Sequence, residues 1–169
     1  MFDWAILRKW RRSPSNIASD DAQQRIAAIN EGKVGQNGLR RLAVSDNVER
    51  VRAAAAKRLI DLVVLRQILE QESSEDVVAA ARARYRQLLS GGDELELSYR
   101  LAAIQACNDR QILAHVARSA READLRQAAL LRVDSREVLL EISRHDPSEQ
   151  VCRAADEQLA QLRAQRKLL

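Results

Sequence analysis

Small and large apolar residues alternate along this chain with a long period. An Ala-Ala pair recurs at Ala27-Ala28, Ala54-Ala55, Ala80-Ala81, Ala102-Ala103, Ala128-Ala129 and Ala154-Ala155, at successive offsets of 27, 26, 22, 26 and 26 residues. Three positions ahead of each pair stands an anchor: Gln24, Val51, Val77, Tyr99, Leu125 or Val151. Four of the six anchors are followed by arginine, as Arg25, Arg52, Arg100 and Arg126. Self-similarity at such a spacing marks an array of repeated supersecondary units.

A second pattern lies downstream of the alanines: Leu39 and Leu42; Val64, Leu65 and Ile68; Ile112, Leu113 and Val116; Val138, Leu139 and Ile142. Positions i, i+1 and i+4 share one face of a helix. Nine residues separate the last of each set from the next anchor, as in Ile68 to Val77 and Ile142 to Val151. Each unit thus predicts a first helix with the alanine pair, a short turn, and a second helix with the large apolar stripe. The expected fold class is all-α, an α-solenoid of about six two-helix repeats over residues 20–169, preceded by a short amphipathic segment, residues 1–19. The closest helix approaches need small side chains, which gives the alanines a mechanical reason. Neighbouring units bury one another's stripes, so a single unit has no core of its own.

The punctuation agrees. Asp61, Asp109 and Ser135 precede the second-helix stripes, where a side-chain oxygen caps free backbone N–H groups. Asp146-Pro147-Ser148-Glu149 reads as the opening of the last first helix, with a cap and proline at the first helical position. Gly32, Gly35 and Gly38 fall in the first turn and Gly91-Gly92 after the third alanine helix, which keeps glycine out of every helix interior. The third unit is short: Leu88, Leu89 and Ser90 alone separate its first helix from Gly91, so its second helix is expected to be missing or reduced to a turn.

Composition narrows the function classes. The two cysteines, Cys107 and Cys152, and the two histidines, His115 and His145, lie far apart in sequence and offer neither a disulfide framework nor the ligand spacing of a zinc site. The cysteines read as small core residues and the histidines as solvated. A reducing, cytoplasmic setting is expected, with no metal, no cofactor and no catalytic site. No run approaches the 18 apolar residues of a membrane span. The net charge of +4 is concentrated, since Arg8, Lys9, Arg11 and Arg12 against Asp3 give residues 1–12 a balance of +3 and leave +1 for the rest.

The run Val51-Arg52-Ala53-Ala54-Ala55, with Asp46 five residues ahead of the anchor, resembles the HEAT-like repeat. Acid recurs at that place as Glu72, Glu94 and Asp146. The resemblance implies hydrogen-bonded ladders of acid and arginine between adjacent units, with Asp46 as the mate of Arg52. Ser19 and Ala120 depart from the pattern, so the ladder is expected to fail there and Arg126 to lack its mate. The opening Met1-Phe2, the Lys9-Trp10 pair and residues 100–151 resemble the N-terminal region of large proteobacterial proteins that carry domain of unknown function 349. In those proteins a long helical region follows the repeats, and the resemblance implies little about biochemical role. An opening at Met1 and an end at Leu169 inside a helical pattern fit either a short stand-alone protein or the first part of a longer one.

Two surfaces are candidates for binding. The outer positions of the second helices, Arg66, Gln67, Arg110, Gln111, His115, Arg118, Arg136 and Arg144, interleave with acids and suit a protein partner or a downstream helical region of a longer chain. Phe2, Trp4, Arg8, Lys9 and Trp10 make the first segment a cap over the first repeat or a docking element for a partner or an anionic membrane. The function expected is a non-catalytic scaffold for protein-protein interaction. The alternative is an RNA-, ribosome- or DNA-binding module that uses the basic first segment and the second-helix arginines, although a groove for single strands also wants aromatic platforms, and after Trp10 the chain has Tyr85 and Tyr99 alone.

Overall fold

The computed structural model describes residues 21–91 and 94–167, with side chains as far as residue 164. Among these residues there are ten helices and no strand. They are α1 (Ala22–Asn30), α2 (Gln36–Ser45), α3 (Glu49–Arg58), α4 (Leu62–Gln71), α5 (Glu75–Ser90), α6 (Leu97–Ala106), α7 (Arg110–Ser119), α8 (Ala123–Leu130), α9 (Arg136–His145) and α10 (Glu149–Lys167). None is long and apolar enough to cross a membrane.

The alanine helices form a first row, α1 on α3 on α5 and then α6 on α8 on α10, and the stripe helices form a second, α2 on α4 and α7 on α9. The most extensive packing lies within the first row, between α3 and α5, followed by that of each stripe helix on the alanine helix after it: α9 on α10, α2 on α3, α7 on α8 and α4 on α5. One continuous core runs from Ala28 to Leu159. The anchors Val51, Val77, Leu125 and Val151 are fully enclosed in it, each next to a preceding stripe helix. Gln24 is exposed and Tyr99 half-buried, and these polar anchors belong to α1 and α6, ahead of which no stripe helix stands among the described residues.

The alanine pairs split into two roles. The second member is buried in every unit, as Ala28, Ala55, Ala81, Ala103, Ala129 and Ala155. The first member varies, from buried Ala80 and Ala154 through half-buried Ala54 and Ala128 to exposed Ala27 and Ala102. The second alanine is therefore the point of close helix approach, where a longer side chain would force the axes apart.

Caps stand where the sequence places them. The Asp61 carboxylate accepts from the N–H of Val63 and Val64, Asp109 accepts from Gln111 and Ile112, and the Ser135 hydroxyl accepts from Val138. Three details differ from expectation. Gly38 lies inside α2 rather than in the turn, while Gly32, at φ 73°, makes the left-handed turn that closes α1. Pro147 stays in the turn, where Asp146 accepts the Ser148 N–H at 2.8 Å; the Ser148 carbonyl then opens α10 by accepting from Val151 and Cys152. Finally, α5 runs unbroken through Leu88 and Leu89 to Ser90 instead of ending before them; the third unit has no separate second helix among the described residues, as its shortness predicts, and the last turns of α5 bury Tyr85, Leu88 and Leu89. They occupy the space between α4 and α7, so α5 packs directly on α7.

Candidate interaction surface

Each arginine that follows an anchor reaches forward to the next unit. Arg25 donates Nε and Nη2 to Asp46 at 2.8 and 3.0 Å, and Arg52 donates likewise to Glu72 at 2.8 and 3.1 Å. Arg126 grips Asp146 at 2.7 and 2.9 Å. Arg100 meets Glu122 through both Nη atoms, at 3.2 and 2.8 Å, and leaves its buried Nε without a hydrogen-bond partner. This corrects the expected pairing within a unit. The Asp46 carboxylate belongs to Arg25; Arg52 takes only the Asp46 backbone carbonyl, at 2.9 Å. Arg126 is likewise fully engaged, since its Nη1 also donates to the carbonyls of Ala120 and Arg121. Glu94 pairs instead with Arg84, at 2.7 Å, because Val78 stands where the third unit would carry the ladder arginine.

The electrostatics follow from this geometry. Hydrogen bonds from Arg52 and Arg100 hold the Glu72 and Glu122 carboxyls below their ordinary range. Burial opposes the charge of Asp146, yet the Arg126 hydrogen bond and the Ser148 N–H outweigh it and lower the pKa. In turn, the hydrogen bonds to Glu72 and Asp146 raise Arg52 and Arg126.

A second set of arginines, not anticipated from the sequence, reaches backward. Arg58 donates to the carbonyl of Asn30 at 3.3 Å, Arg84 to Leu59 at 2.9 Å and Arg132 to Ile104 at 3.1 Å. Arg132 also donates to the Gln105 carbonyl. Each stands four residues after the first alanine of its pair, a spacing visible in units two, three and five. They satisfy carbonyls at the end of the preceding alanine helix, which has no intrahelical donors for them.

Half of the eight candidate residues on the second row are held by neighbours. Arg66 pairs with Glu70 on its own helix at 2.9 Å, Arg110 with Asp134 at 3.2 Å and Arg118 with Glu141 at 2.7 Å. Gln67 donates to Gln71 at 3.2 Å, while Gln111, Arg136 and Arg144 are exposed. Related pairs, Arg40 with Asp61 and Arg82 with Asp109, engage the capping aspartates of α4 and α7. A recess of about 210 Å³ brings Arg66 and Glu70 to the start of α7, beside buried Tyr85 and Cys107. His115 is half-buried rather than solvated; burial, and then Arg86 and Arg118, push its pKa below the ordinary value. His145 ends α9 and is exposed.

Cys107 lies just past α6, fully covered, and burial pushes its thiol up, away from the thiolate a nucleophile requires. Cys152, in α10, is half-buried. Burial also raises the Tyr85 phenol, whose hydroxyl donates to the Ala103 carbonyl at 3.2 Å. No group of three or more His, Cys, Asp or Glu is arranged to hold a metal among the described residues. Phe2, Trp4, Arg8, Lys9 and Trp10 lie outside them, as does Ser19. Compared with protein-family models, with curated proteins and with solved structures, the chain matches none.

Proposed function

We propose that this chain is a HEAT-like α-solenoid that works as a non-catalytic scaffold, binding a protein partner or a helical region of a longer chain along its second row. The reading rests on where the arginines go. All four that follow the anchors neutralise acids of the next unit, and in Arg52 and Arg126 the guanidinium is held by backbone carbonyls as well, which leaves little for a phosphate. The second-row surface that remains, from α4 to α9, interleaves Arg66, Arg110, Arg118, Arg136 and Arg144 with Glu70, Glu137 and Glu141. Mixed charge of this kind gives register and specificity to a protein contact, whereas a nucleic-acid footprint is a stripe of one sign.

The experiment is capture from cell lysate with the chain as bait, with and without nuclease and at two salt concentrations. Charge reversal at Arg110, Arg118 and Arg144 then probes the surface. A protein retained through nuclease and salt but lost on charge reversal supports the scaffold. An eluate emptied by nuclease, or dominated by RNA, overturns it in favour of nucleic-acid binding.

A further inference from the structure

Two sets of arginines tie each unit to its neighbours, and both skip the same place. The forward set joins units one and two through Arg25 and Asp46, two and three through Arg52 and Glu72, four and five through Arg100 and Glu122, and five and six through Arg126 and Asp146. Val78 stands at the corresponding place in the third unit. The backward set, Arg58, Arg84 and Arg132, joins two to one, three to two and five to four. Ala106 stands where the fourth unit would carry its member. Units three and four are therefore tied by neither set.

The packing changes at the same junction. Of the neighbours in the first row, α5 and α6 touch least. In the second row the order is reversed, because the end of α5 packs on α7 more extensively than α2 does on α4 or α7 on α9. Among the described residues, side chains cross the junction through single hydrogen bonds. Arg82 donates to Asp109 at 2.8 Å, Arg84 to Glu94 at 2.7 Å and the Tyr85 hydroxyl to the Ala103 carbonyl at 3.2 Å. The first two are ion pairs with one partner in water, Arg82 at 34% and Glu94 at 49% exposed, where such pairs contribute little.

Open space lies on both sides. A recess of about 500 Å³ borders the turn into α6, from Glu94 to Arg100, and the recess of about 210 Å³ beside Tyr85 and Cys107 borders the start of α7. Close-packed interiors resist deformation, so relative motion gathers where ties are fewest and neighbouring space is open. We propose that the contact of α5 with α7 is a hinge. Residues 22–90 and residues 97–164 are two stiff halves that turn about it, widening or closing the first row between α5 and α6. The hinge does not depend on the scaffold reading; if the second row does bind a partner, the hinge also sets the angle between α4 and the α7–α9 surface.

Pulsed electron paramagnetic resonance on the intact chain tests this, because a frozen ensemble keeps the spread of conformations that a hinge populates. Spin labels go on cysteines introduced at exposed first-row positions, in a chain carrying Cys152→Ser; Cys107 is fully covered and stays. Each pair is two units apart. Gln23→Cys with Ala79→Cys, and Ala102→Cys with Arg153→Cys, lie within one half. Arg50→Cys with Ala102→Cys, and Ala79→Cys with Asp124→Cys, cross the junction. Both crossing pairs should give broader distance distributions than either pair within a half. Arg82→Ala, which removes a crossing ion pair, should broaden the crossing pairs further and leave the others as they are. Crossing distributions as narrow as those within the halves would overturn the proposal, since the array would then be one rigid body. Equal breadth in all four pairs would overturn it as well, because bending would be spread evenly along the row.

Discussion

Arg126 and Asp146 form a two-pronged ion pair between successive units, with the two side chains 7% and 3% exposed. Breaking a buried pair strands a charge away from water, which typically costs about 3–5 kcal/mol. Arg126→Ala is expected to lose that much stability in denaturant unfolding. The Arg52–Glu72 pair is more open, at 18% and 12%, so Arg52→Ala should cost less. The reverse order would mean that the forward ladder does not carry the stability assigned to it.

Acid should weaken the fold through the same pairs. Glu72, Glu122 and Asp146 all have carboxyl pKa values below ordinary in the folded chain. Their contribution is present above the ordinary values of 4.5 for Glu and 3.8 for Asp and is lost as pH falls through the lower folded values, because the unfolded chain then binds more protons. Asp146→Asn should be less stable at neutral pH and lose less than the parent on acidification. Parallel stability curves for the two proteins over the acid range would contradict this.

Ala129→Leu should destabilise by about 1–3 kcal/mol, as overpacking does at a close contact, whereas Ala128→Leu should be milder. Ala129 is fully enclosed and Ala128 half-buried. Thermal melts of the two variants separate them, and equal losses would remove the distinction between the members of the pair.

The helical class and the stripe were legible in the sequence because both rest on periodicity, and Leu113, Val116, Leu139 and Ile142 are buried as their spacing requires. The ladder was half legible. Arginine and acid are conspicuous residue types, but the choice between Asp46 and Glu72 as the mate of Arg52 depends on which turn lies over the guanidinium. Proximity in the chain favours Asp46; packing of the next unit selects Glu72. Glu122 was missed because it sits three residues ahead of its anchor rather than five. The uninterrupted α5 was hidden for another reason: Leu88 and Leu89 fit a helix as well as a loop until the space left by the shortened unit is known.

His115 tests the contact between α5 and α7. It should titrate below the ordinary value of 6.5, principally through burial and then through Arg86 and Arg118. Arg86→Gln should raise the value part of the way, as followed by NMR of the imidazole. An ordinary or raised value in the parent would place the ring in solvent and break the packing described.

The most direct test of the account is a salt titration of binding to single-stranded RNA and duplex DNA by the intact chain. Phosphate contacts release counterions, so affinity that depends on them falls steeply with salt. With its ladder arginines committed to Asp46, Glu72, Glu122 and Asp146, the chain should bind either polymer weakly at low salt and lose measurable affinity near physiological ionic strength. Tight binding that persists there, with a steep slope reporting many phosphate contacts, would contradict the scaffold and identify a nucleic-acid-binding protein.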